Sequence, residues 1–361
     1  MTPELSVIAE RYLRFAEIEA RGVSTIFDGW ATGLAADESL LKLLAPLSRI
    51  KQQPNLVFAA ARWTGCPVGP FDAFRDWMLE HWPEIEATIL ARSTQTNEAA
   101  RCSALITALA GIEGPVALLE VGASAGLCLY PDRYSYRFAR AGSGRGADPG
   151  SGRVVALDPA DGISRVVIPC QAGGGIHLPE RLPQVVWRAG IDQSPIDVRN
   201  PDELRWLETL IWPEQHERVA RLHAAAQLAA ADPPHLRRGD LVELLESTAE
   251  WAPRDATLVV FHSAVLNYLP SERRAEFERI VRGLDAVWVS NEARAVLPAV
   301  DAGMPSGLSV RGFILARDGV PLALTGTHGR SIEGLPAAAA RPRAATAPTR
   351  SPCNSDRGSD R

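Results

Sequence analysis

A run of small residues after an apolar stretch is the part of this sequence with the clearest potential for chemistry. Residues 116–121 are apolar and β-branched at both ends, which predicts a buried strand. The strand carries an acid, Glu120, and leads into small residues and then Leu127; the small residues are Gly122, Ala123, Ser124, Ala125 and Gly126. Where a strand, a glycine turn and a helix follow one another, a ligand can approach backbone N–H groups at the helix N-terminus. The pattern therefore predicts a nucleotide-type binding site.

Further polar side chains follow later apolar runs in the chain. They are Asp192 after 185–191, Asp240 after Gly239, His262 after 257–261, and Glu292 after 286–291. Ligands of open α/β sheets bind outside the carboxyl ends of the strands, so these side chains are expected to converge. A carboxylate accepts two hydroxyl donors at once, and Asp192 therefore suits a ribose diol.

The order of these motifs resembles that of the class I S-adenosylmethionine-dependent methyltransferases. Residues 118–126 resemble the first cofactor motif, and 190–195 resemble the second, whose acid binds the ribose hydroxyls. Residues 239–241 resemble the third, whose acid lies beside the adenine amino group, and 259–269 resemble the segment that faces the transferred methyl. The resemblance covers about 114–330 and implies S-adenosylmethionine as the cofactor.

The resemblance also implies roles for individual residues. The cofactor contacts would come from Glu120, Gly122, Ala123, Ser124, Gly126, Asp192, Asp240 and Phe261. The side chains expected to orient the methyl acceptor or remove its proton are His262, Glu292 and Tyr268. The methyl acceptor would be a small molecule or another compound that the resemblance does not identify. Over 1–330 the chain further resembles an uncharacterised bacterial family of unknown function, through residues 94–98, 187–192 and 261–266.

Two other functions use the same residues. Residues 122–126 satisfy the G-x-S-x-G elbow of α/β-hydrolases, with Ser124 as the nucleophile. Asp192 or Asp240, followed by His262 or His328, would complete that triad. Against this, the region upstream is helical and has no oxyanion loop with a His-Gly pair. A nucleotide-binding scaffold without catalysis is the third alternative.

The elements that must position these residues fall into three segments. Residues 1–113 show helical apolar spacing, as in Leu40, Leu41, Leu44 and Leu47, and predict an all-helical cap. Residues 114–330 alternate strands and helices, which predicts a Rossmann-like, mainly parallel sheet with an antiparallel closing hairpin at Asp318-Gly319.

Residues 131–184 are expected to be an insertion, either a lid or a wall. Polar residues 94–98 are either a helix cap or a segment that reaches over the glycine turn. Residues 331–361 contain few large apolar side chains and are predicted to be a disordered tail.

The composition limits the possible partners and compartment. The chain has 361 residues, 46% of them hydrophobic, and a net charge of −5, so no general attraction to nucleic acid or anionic membranes is expected. No run of eighteen apolar residues occurs. Five scattered cysteines favour neither a disulfide framework nor a metal site. With no signal-peptide pattern at the N-terminus, a cytoplasmic location is predicted.

Overall fold

The first three helices of the cap begin at side chains that accept hydrogen bonds from their free N–H groups. The computed structural model describes residues 2–95, 97–140 and 153–336. Ser24 caps the second helix through Phe27 N, and Asp37 caps the third through Ser39 N and Leu40 N. The helices that precede the first strand are α1 Pro3–Phe15, α2 Thr25–Ala36, α3 Glu38–Leu44, α4 Pro54–Trp63, α5 Phe71–Glu80, α6 Trp82–Ala91 and α7 Cys102–Ala108. The predicted helical N-terminal region is therefore confirmed.

An aromatic cluster holds the cap together. Trp30 stacks on Phe74 with ring centroids 4.3 Å apart, and Phe58 meets both rings edge to face. Tyr12 and Phe27 pack against Phe58 from α1 and α2. Because all five side chains are buried, the cluster joins four helices of the cap into one core.

The strands that the structure describes form a single sheet. They are β1 Pro115–Val121, β2 Ser135–Arg140, β3 Val154–Leu157, β4 Val167–Gly173, β5 Gln184–Asp192, β6 His235–Arg238, β7 Thr257–Ser263, β8 Val287–Glu292, β9 Phe313–Arg317, β10 Val320–Thr325 and β11 Ser331–Gly334. Their order is β3-β2-β4-β11-β10-β9-β8-β7-β1-β5-β6. The neighbours from β6 to β8 are all parallel, whereas β9 runs antiparallel to β8. The α/β fold with a mainly parallel central sheet is thus confirmed.

The parallel part of the sheet has a topological switch point between β1 and β7. After β1 the chain forms β2, β3 and β4 at the far end of the sheet, returns to β5 and β6 on one side of β1, and then crosses to β7 and β8 on the other side. The helices of these crossovers are α8 Pro201–Leu210, α9 His216–Ala231, α10 Leu241–Ala249 and α11 Ser271–Gly283, and α12 Pro298–Ala302 follows β8. Loops that leave β1 and β7 in opposite directions open a crevice at their carboxyl ends. None of the described helices has the length and apolar character needed to cross a bilayer.

Two expectations about the edges of the sheet need correction. The β9–β10 hairpin does not close the sheet, because β11 pairs with β10 and β4 pairs with β11. Residues 131–184 therefore extend the same sheet through β2, β3 and β4. Ser331–Gly334 form β11 instead of beginning the tail, and Ile332 within it is 1% exposed. The predicted disorder of 337–361 lies outside the described residues.

Truncation can test where the folded chain ends. Ending the chain after Arg330 removes β11, which separates β10 from β4 and exposes both to water. With the loss of the buried Ile332 side chain as well, the expected cost is about 2–5 kcal/mol. The melting temperature should fall by roughly 5 °C or more in a thermal scan. A chain ending after Pro336 keeps every described strand and should melt within about 2 °C of the full chain. Equal melting of the two truncated chains would contradict the structural role of β11.

Candidate functional site

The glycine turn after β1 is tied to the end of β5. Gly122 N and Ala123 N both donate to the carbonyl oxygen of Ile191, at 2.8 and 3.1 Å. Gly122, Ser124 and Gly126 have positive φ angles of 73°, 52° and 69°. A Cβ on Gly122 would lie 2.4 Å from Val265 Cγ2, so only glycine fits between the β1 and β7 loops. The predicted glycine turn is thus present, and three of its residues have left-handed backbone angles.

No α-helix follows this turn, which corrects the predicted strand–turn–helix. Two short 3₁₀ turns, Leu127–Leu129 and Pro131–Arg133, lead directly into β2. Pro131 has no N–H to donate, and the Tyr134 hydroxyl donates to Leu127 O at 2.6 Å. Backbone groups that would form hydrogen bonds within a helix are therefore bonded to side chains instead. The turn also lacks the aligned N–H groups that a helix N-terminus would present to an anion.

Of the polar segment, Gln95 and Asn97 cover the glycine turn and Glu98 caps a 3₁₀ turn. Asn97 Nδ2 donates to Ala123 O at 3.3 Å, and its Oδ1 accepts from Leu127 N at 3.1 Å. Gln95 Nε2 donates to Ser194 O at 2.7 Å, and Gln95 Oε1 accepts from the Ser124 hydroxyl. Glu98 caps the 3₁₀ turn Ala99–Arg101 through Ala100 N. Both predicted roles, the cap and the cover over the glycine turn, are therefore found in the structure.

Asp192 lies at the centre of the crevice. Its Oδ2 accepts from Ser124 N at 2.8 Å, and its Oδ1 accepts from Ser194 N at 2.7 Å. It borders a cleft of about 370 Å³, which we name the switch-point cleft, together with Gly122, Ser124 and Val265. A carboxylate has about four acceptor positions, so two of them remain for a ligand.

Two other predicted cofactor residues, Glu120 and Phe261, are buried and do not line the switch-point cleft. Glu120 and Phe261 are 7% and 4% exposed and face the buried side of the sheet. Burial, with smaller contributions from Cys128 and Asp192, raises the pKa of Glu120 well above its usual range. This shift disfavours the ionised carboxylate that would attract a cofactor sulfonium. This placement argues against direct ligand contact by either side chain.

Asp240 is engaged in local structure. Its Oδ1 accepts from Val242 N at 2.8 Å as the N-cap of α10, and from Arg273 Nη2 at 2.6 Å. The next residue, Leu241, is the one that lines the cleft.

Ala123 and Gly126, two further predicted cofactor residues, form part of the glycine turn. A Cβ on Gly126 would lie 2.9 Å from Pro234 Cγ, so this position is closely packed.

A larger cavity adjoins the switch-point cleft. It measures about 1140 Å³ and lies between the π-helical turn Ala16–Ala20, the α8–α9 connection and the loops that follow β7, β8 and β10. We name it the cap cavity. Gln95, Arg101, Ala264 and Tyr268 line both spaces, and Tyr268 is 65% exposed at their junction. A ligand in the cleft would therefore lie next to a second molecule in the cap cavity.

Glu292 is a residue of the cap-cavity wall, and its carboxylate is held through one oxygen. Its Oε1 accepts from His262 Nδ1 at 2.7 Å, Val265 N at 2.9 Å and Leu266 N at 3.1 Å. Its Oε2 has no hydrogen-bond partner among the described residues, and the side chain is 3% exposed. A buried carboxylate that is held through one oxygen and has no partner at the other can accept a proton from a group that reaches the second oxygen.

His262 is a positioning residue for Glu292. The indole N–H of Trp288, which can only donate, points to His262 Nε2 at 3.0 Å. The ring proton is therefore on Nδ1, from which it is donated to Glu292. With Phe277 packed edge to face on the ring and 1% exposure, His262 has no free nitrogen. This corrects its predicted contact with substrate.

The hydrolase residues are not brought together. The Ser124 hydroxyl is bonded to Gln95, and within the described ranges no histidine contacts it. His262 is enclosed at Glu292, while His328 lines the cap cavity. Burial and the charges of Arg218 and Arg101 lower the pKa of His328 to about 3. The site therefore provides neither the base nor the helix that a nucleophile elbow requires.

Three arginines beside the cavity were not identified from the sequence. Glu98 Oε2 accepts from Arg218 Nε at 2.5 Å, and Oε1 accepts from Arg221 Nε at 2.7 Å. Although burial opposes ionisation, the two guanidinium groups lower the pKa of Glu98 to about 2. Arg101 lies at the junction of the two spaces. The only local signal was the spacing of Arg218 and Arg221, which places both on one face of α9.

Two glycines with nearly equal backbone angles allow a matched test of the turn. Gly122→Ala adds a clash with Val265 to the strain of positive φ and is expected to cost about 3 kcal/mol or more. Gly114 has φ 76°, with open space where a Cβ would lie, so Gly114→Ala should cost only about 1–2 kcal/mol. Urea unfolding measures both. Equal losses would show that backbone strain, and not the contact with Val265, requires glycine at 122.

The fold and site together define a Rossmann-type α/β protein with a cleft at its switch point and a second cavity under a helical cap. Over residues 62–333 the chain matches a family described as an uncharacterized protein conserved in bacteria (DUF2332), and it belongs to that family. No curated protein and no solved structure matches the chain.

Proposed function

We propose that this protein is an S-adenosylmethionine-dependent methyltransferase that acts on a small molecule. The observation that carries the proposal is the placement of Asp192. Its carboxylate lies at the end of β5 beside the glycine turn and keeps two acceptor positions for a ribose diol. The switch point between β1 and β7 is also where doubly wound sheets bind nucleotide ligands.

The residues present fit such a cofactor in shape and chemistry. The switch-point cleft, at about 370 Å³, is within the usual range of small-molecule sites, about 300–1,000 Å³. Gly122 lets the methionine part approach the backbone, and Leu241 and Leu269 offer apolar contacts to a base. When bound, the cofactor would supply a methyl group activated by a sulfonium. The junction at Tyr268 would allow that methyl to face the cap cavity.

Glu292 is the proposed base. An acceptor O–H or N–H in the cap cavity could donate to Glu292 Oε2, while His262 and two backbone N–H groups keep the carboxylate in place. Methyl transfer depends mostly on holding the two reactants in line, and the cap would position the acceptor and restrict water. Few obligatory catalytic side chains are therefore expected.

Calorimetry with S-adenosylhomocysteine tests the cofactor assignment. At about a hundred times its dissociation constant the ligand should stabilise the fold by about 2.7 kcal/mol. The corresponding rise in melting temperature is about 5–10 °C. NAD at the same concentration is the control for general nucleotide binding and should give no comparable rise. If neither S-adenosylmethionine nor S-adenosylhomocysteine produces heat or a shift at millimolar concentration, the proposal is wrong.

A second measurement separates an enzyme from a binding scaffold. Conversion of S-adenosylmethionine to S-adenosylhomocysteine is followed in the presence of a bacterial small-molecule extract. We expect Glu292→Gln to keep the affinity for S-adenosylhomocysteine and to slow turnover by about 10²- to 10⁴-fold. Binding with no conversion in any extract fraction would favour the non-catalytic scaffold. Unchanged turnover in the variant would remove Glu292 from the chemistry.

A further inference from the structure

The wall of the cap cavity around His328 carries an excess of positive charge. Arg101, Arg218 and Arg330 line this part of the cavity. Burial and these three charges together lower the pKa of His328, which therefore stays neutral near pH 7. The acid that faces the group, Glu98, already binds Arg218 and Arg221. The positive charge of this wall is thus not balanced by protein carboxylates.

The arginines retain donors for a ligand. Arg101 uses Nη1 and Nε on the carbonyl oxygens of Ser263 and Thr327, at 3.0 and 3.1 Å. Arg218 uses Nε on Glu98 and Nη1 on Gln215. Among the described residues, Nη2 of both side chains and the whole guanidinium of Arg330 have no hydrogen-bond partner. Since each guanidinium carries five N–H donors in a planar fork, these groups suit a carboxylate, sulfonate or phosphate.

The rest of the lining has a different character. Its acids are Glu17 and Glu19 on the π-helical turn and Glu292 at the end of β8, so they belong to other elements than the arginines. Ile18, Val23 and Tyr268 also line the cavity and leave apolar surface exposed. Such exposed apolar side chains around a cavity favour a ligand with an apolar body.

We propose that the cap cavity binds an organic anion with an apolar body, whose acidic group contacts Arg101, Arg218 and Arg330 and whose O–H or N–H lies at Glu292. That this molecule is the methyl acceptor rests on the proposed function. In the transfer, the oxygen or nitrogen of the acceptor forms the bond to the methyl carbon and the sulfur–methyl bond breaks. The acceptor proton goes to Glu292 Oε2, and neutral S-adenosylhomocysteine remains.

Two dyes with the same skeleton test the anion site without any cofactor. 8-Anilinonaphthalene-1-sulfonate has an apolar body, an N–H and a sulfonate, whereas N-phenyl-1-naphthylamine lacks only the sulfonate. Fluorescence titration of the full chain should show one site for the sulfonate dye, with an affinity about tenfold or more above that of the neutral dye. Saturating S-adenosylhomocysteine should leave the sulfonate dye bound, because the cleft and the cap cavity are separate spaces.

Substitutions identify the charges responsible. Arg101→Gln with Arg330→Gln removes two of the three proposed contacts, and because Arg101 is half-buried and Arg330 is exposed, the protein should still fold. This double variant should lose about fivefold or more in affinity for the sulfonate dye and less than about twofold for the neutral dye. Arg254→Gln, at an exposed arginine away from the cavity, is the control and should change neither.

Two results would contradict the proposed anion site. Equal affinity for the two dyes, or a double variant that binds the sulfonate dye like the Arg254 control, would show that the arginines do not form an anion site. Both measurements are made without cofactor. An anion site with no S-adenosylhomocysteine binding would therefore reject the proposed function and leave this site standing, and the converse result would do the opposite.

Discussion

Glu98→Gln is expected to lower the free energy of unfolding by about 3–5 kcal/mol at pH 7, because it leaves two buried guanidinium groups without their carboxylate. Arg218 and Arg221 bind opposite oxygens of Glu98, and all three side chains are less than a tenth exposed. Glutamine keeps the shape and one acceptor but removes the charge. Since domains are stable by only about 5–15 kcal/mol, the loss should be plain in urea unfolding.

The pH dependence of this effect has a definite sign. The pKa of Glu98 is lowered from 4.5 to about 2, so its ionised form favours the folded state. The contribution, about 3 kcal/mol, is fully present above about pH 4.5 and is lost as the pH falls towards 2. The difference in stability between wild type and Glu98→Gln should therefore be constant from about pH 6 to 8 and shrink below about pH 4.5.

An exposed ion pair supplies the control for Glu98. Glu208 pairs with His223 at 3.0 Å, and both side chains are more than 40% exposed. Glu208→Gln should cost no more than about 1 kcal/mol, as is usual for surface pairs. A Glu98→Gln protein that unfolds like the Glu208 variant at pH 7 would contradict the buried ion pair.

Asp192→Ala is expected to weaken S-adenosylhomocysteine binding by about ten- to a hundredfold, because the ribose diol loses both charged acceptors. The variant also removes the partners of Ser124 N and Ser194 N. A stability loss of about 1–3 kcal/mol should accompany the change in affinity. Asp192 borders an open cleft where water can replace the carboxylate, so the unliganded protein should still fold.

A cycle with a modified ligand separates diol binding from a general change in the loop. The 2′-deoxy analogue of S-adenosylhomocysteine should bind wild type more weakly than the parent compound, whereas Asp192→Ala should distinguish the two poorly. Asp197→Ala removes an exposed carboxylate that pairs with Arg199 on the same loop, and it should change neither affinity. If the analogue is discriminated equally by wild type and Asp192→Ala, Asp192 does not hold the diol.

The local sequence pattern was sufficient to predict several parts of this molecule. Apolar runs ending in Val121, Asp192 and Glu292 became strands β1, β5 and β8, because burial on both faces of a parallel strand requires such runs. Small residues from Gly122 onward predicted a close turn, and positive φ there is a property of single residues. The position of Asp192 followed from the rule that ligands bind at the carboxyl ends of strands.

Contacts between distant segments decided the rest. Glu120 is buried beside Ala104 and Leu105 of α7, so its position beside the glycines did not reveal its environment. His262 received its hydrogen-bonding role from Trp288 and Glu292 on β8. β11 is only four residues long and depends on β10 and β4 for its pairing.

By itself, the sequence determined the classes of element, the glycine turn and the acid at the end of β5, because each depends on the chemistry of a few neighbouring residues. Only the tertiary structure decided which polar groups face a ligand and which satisfy the protein. The ion pairs of Glu98 span 120 and 123 residues of chain, and one oxygen of Glu292 is satisfied by the segment around His262 while the other has no hydrogen-bond partner among the described residues. Such assignments depend on hydrogen-bond partners that only packing brings within 3 Å, as expected for buried polar groups.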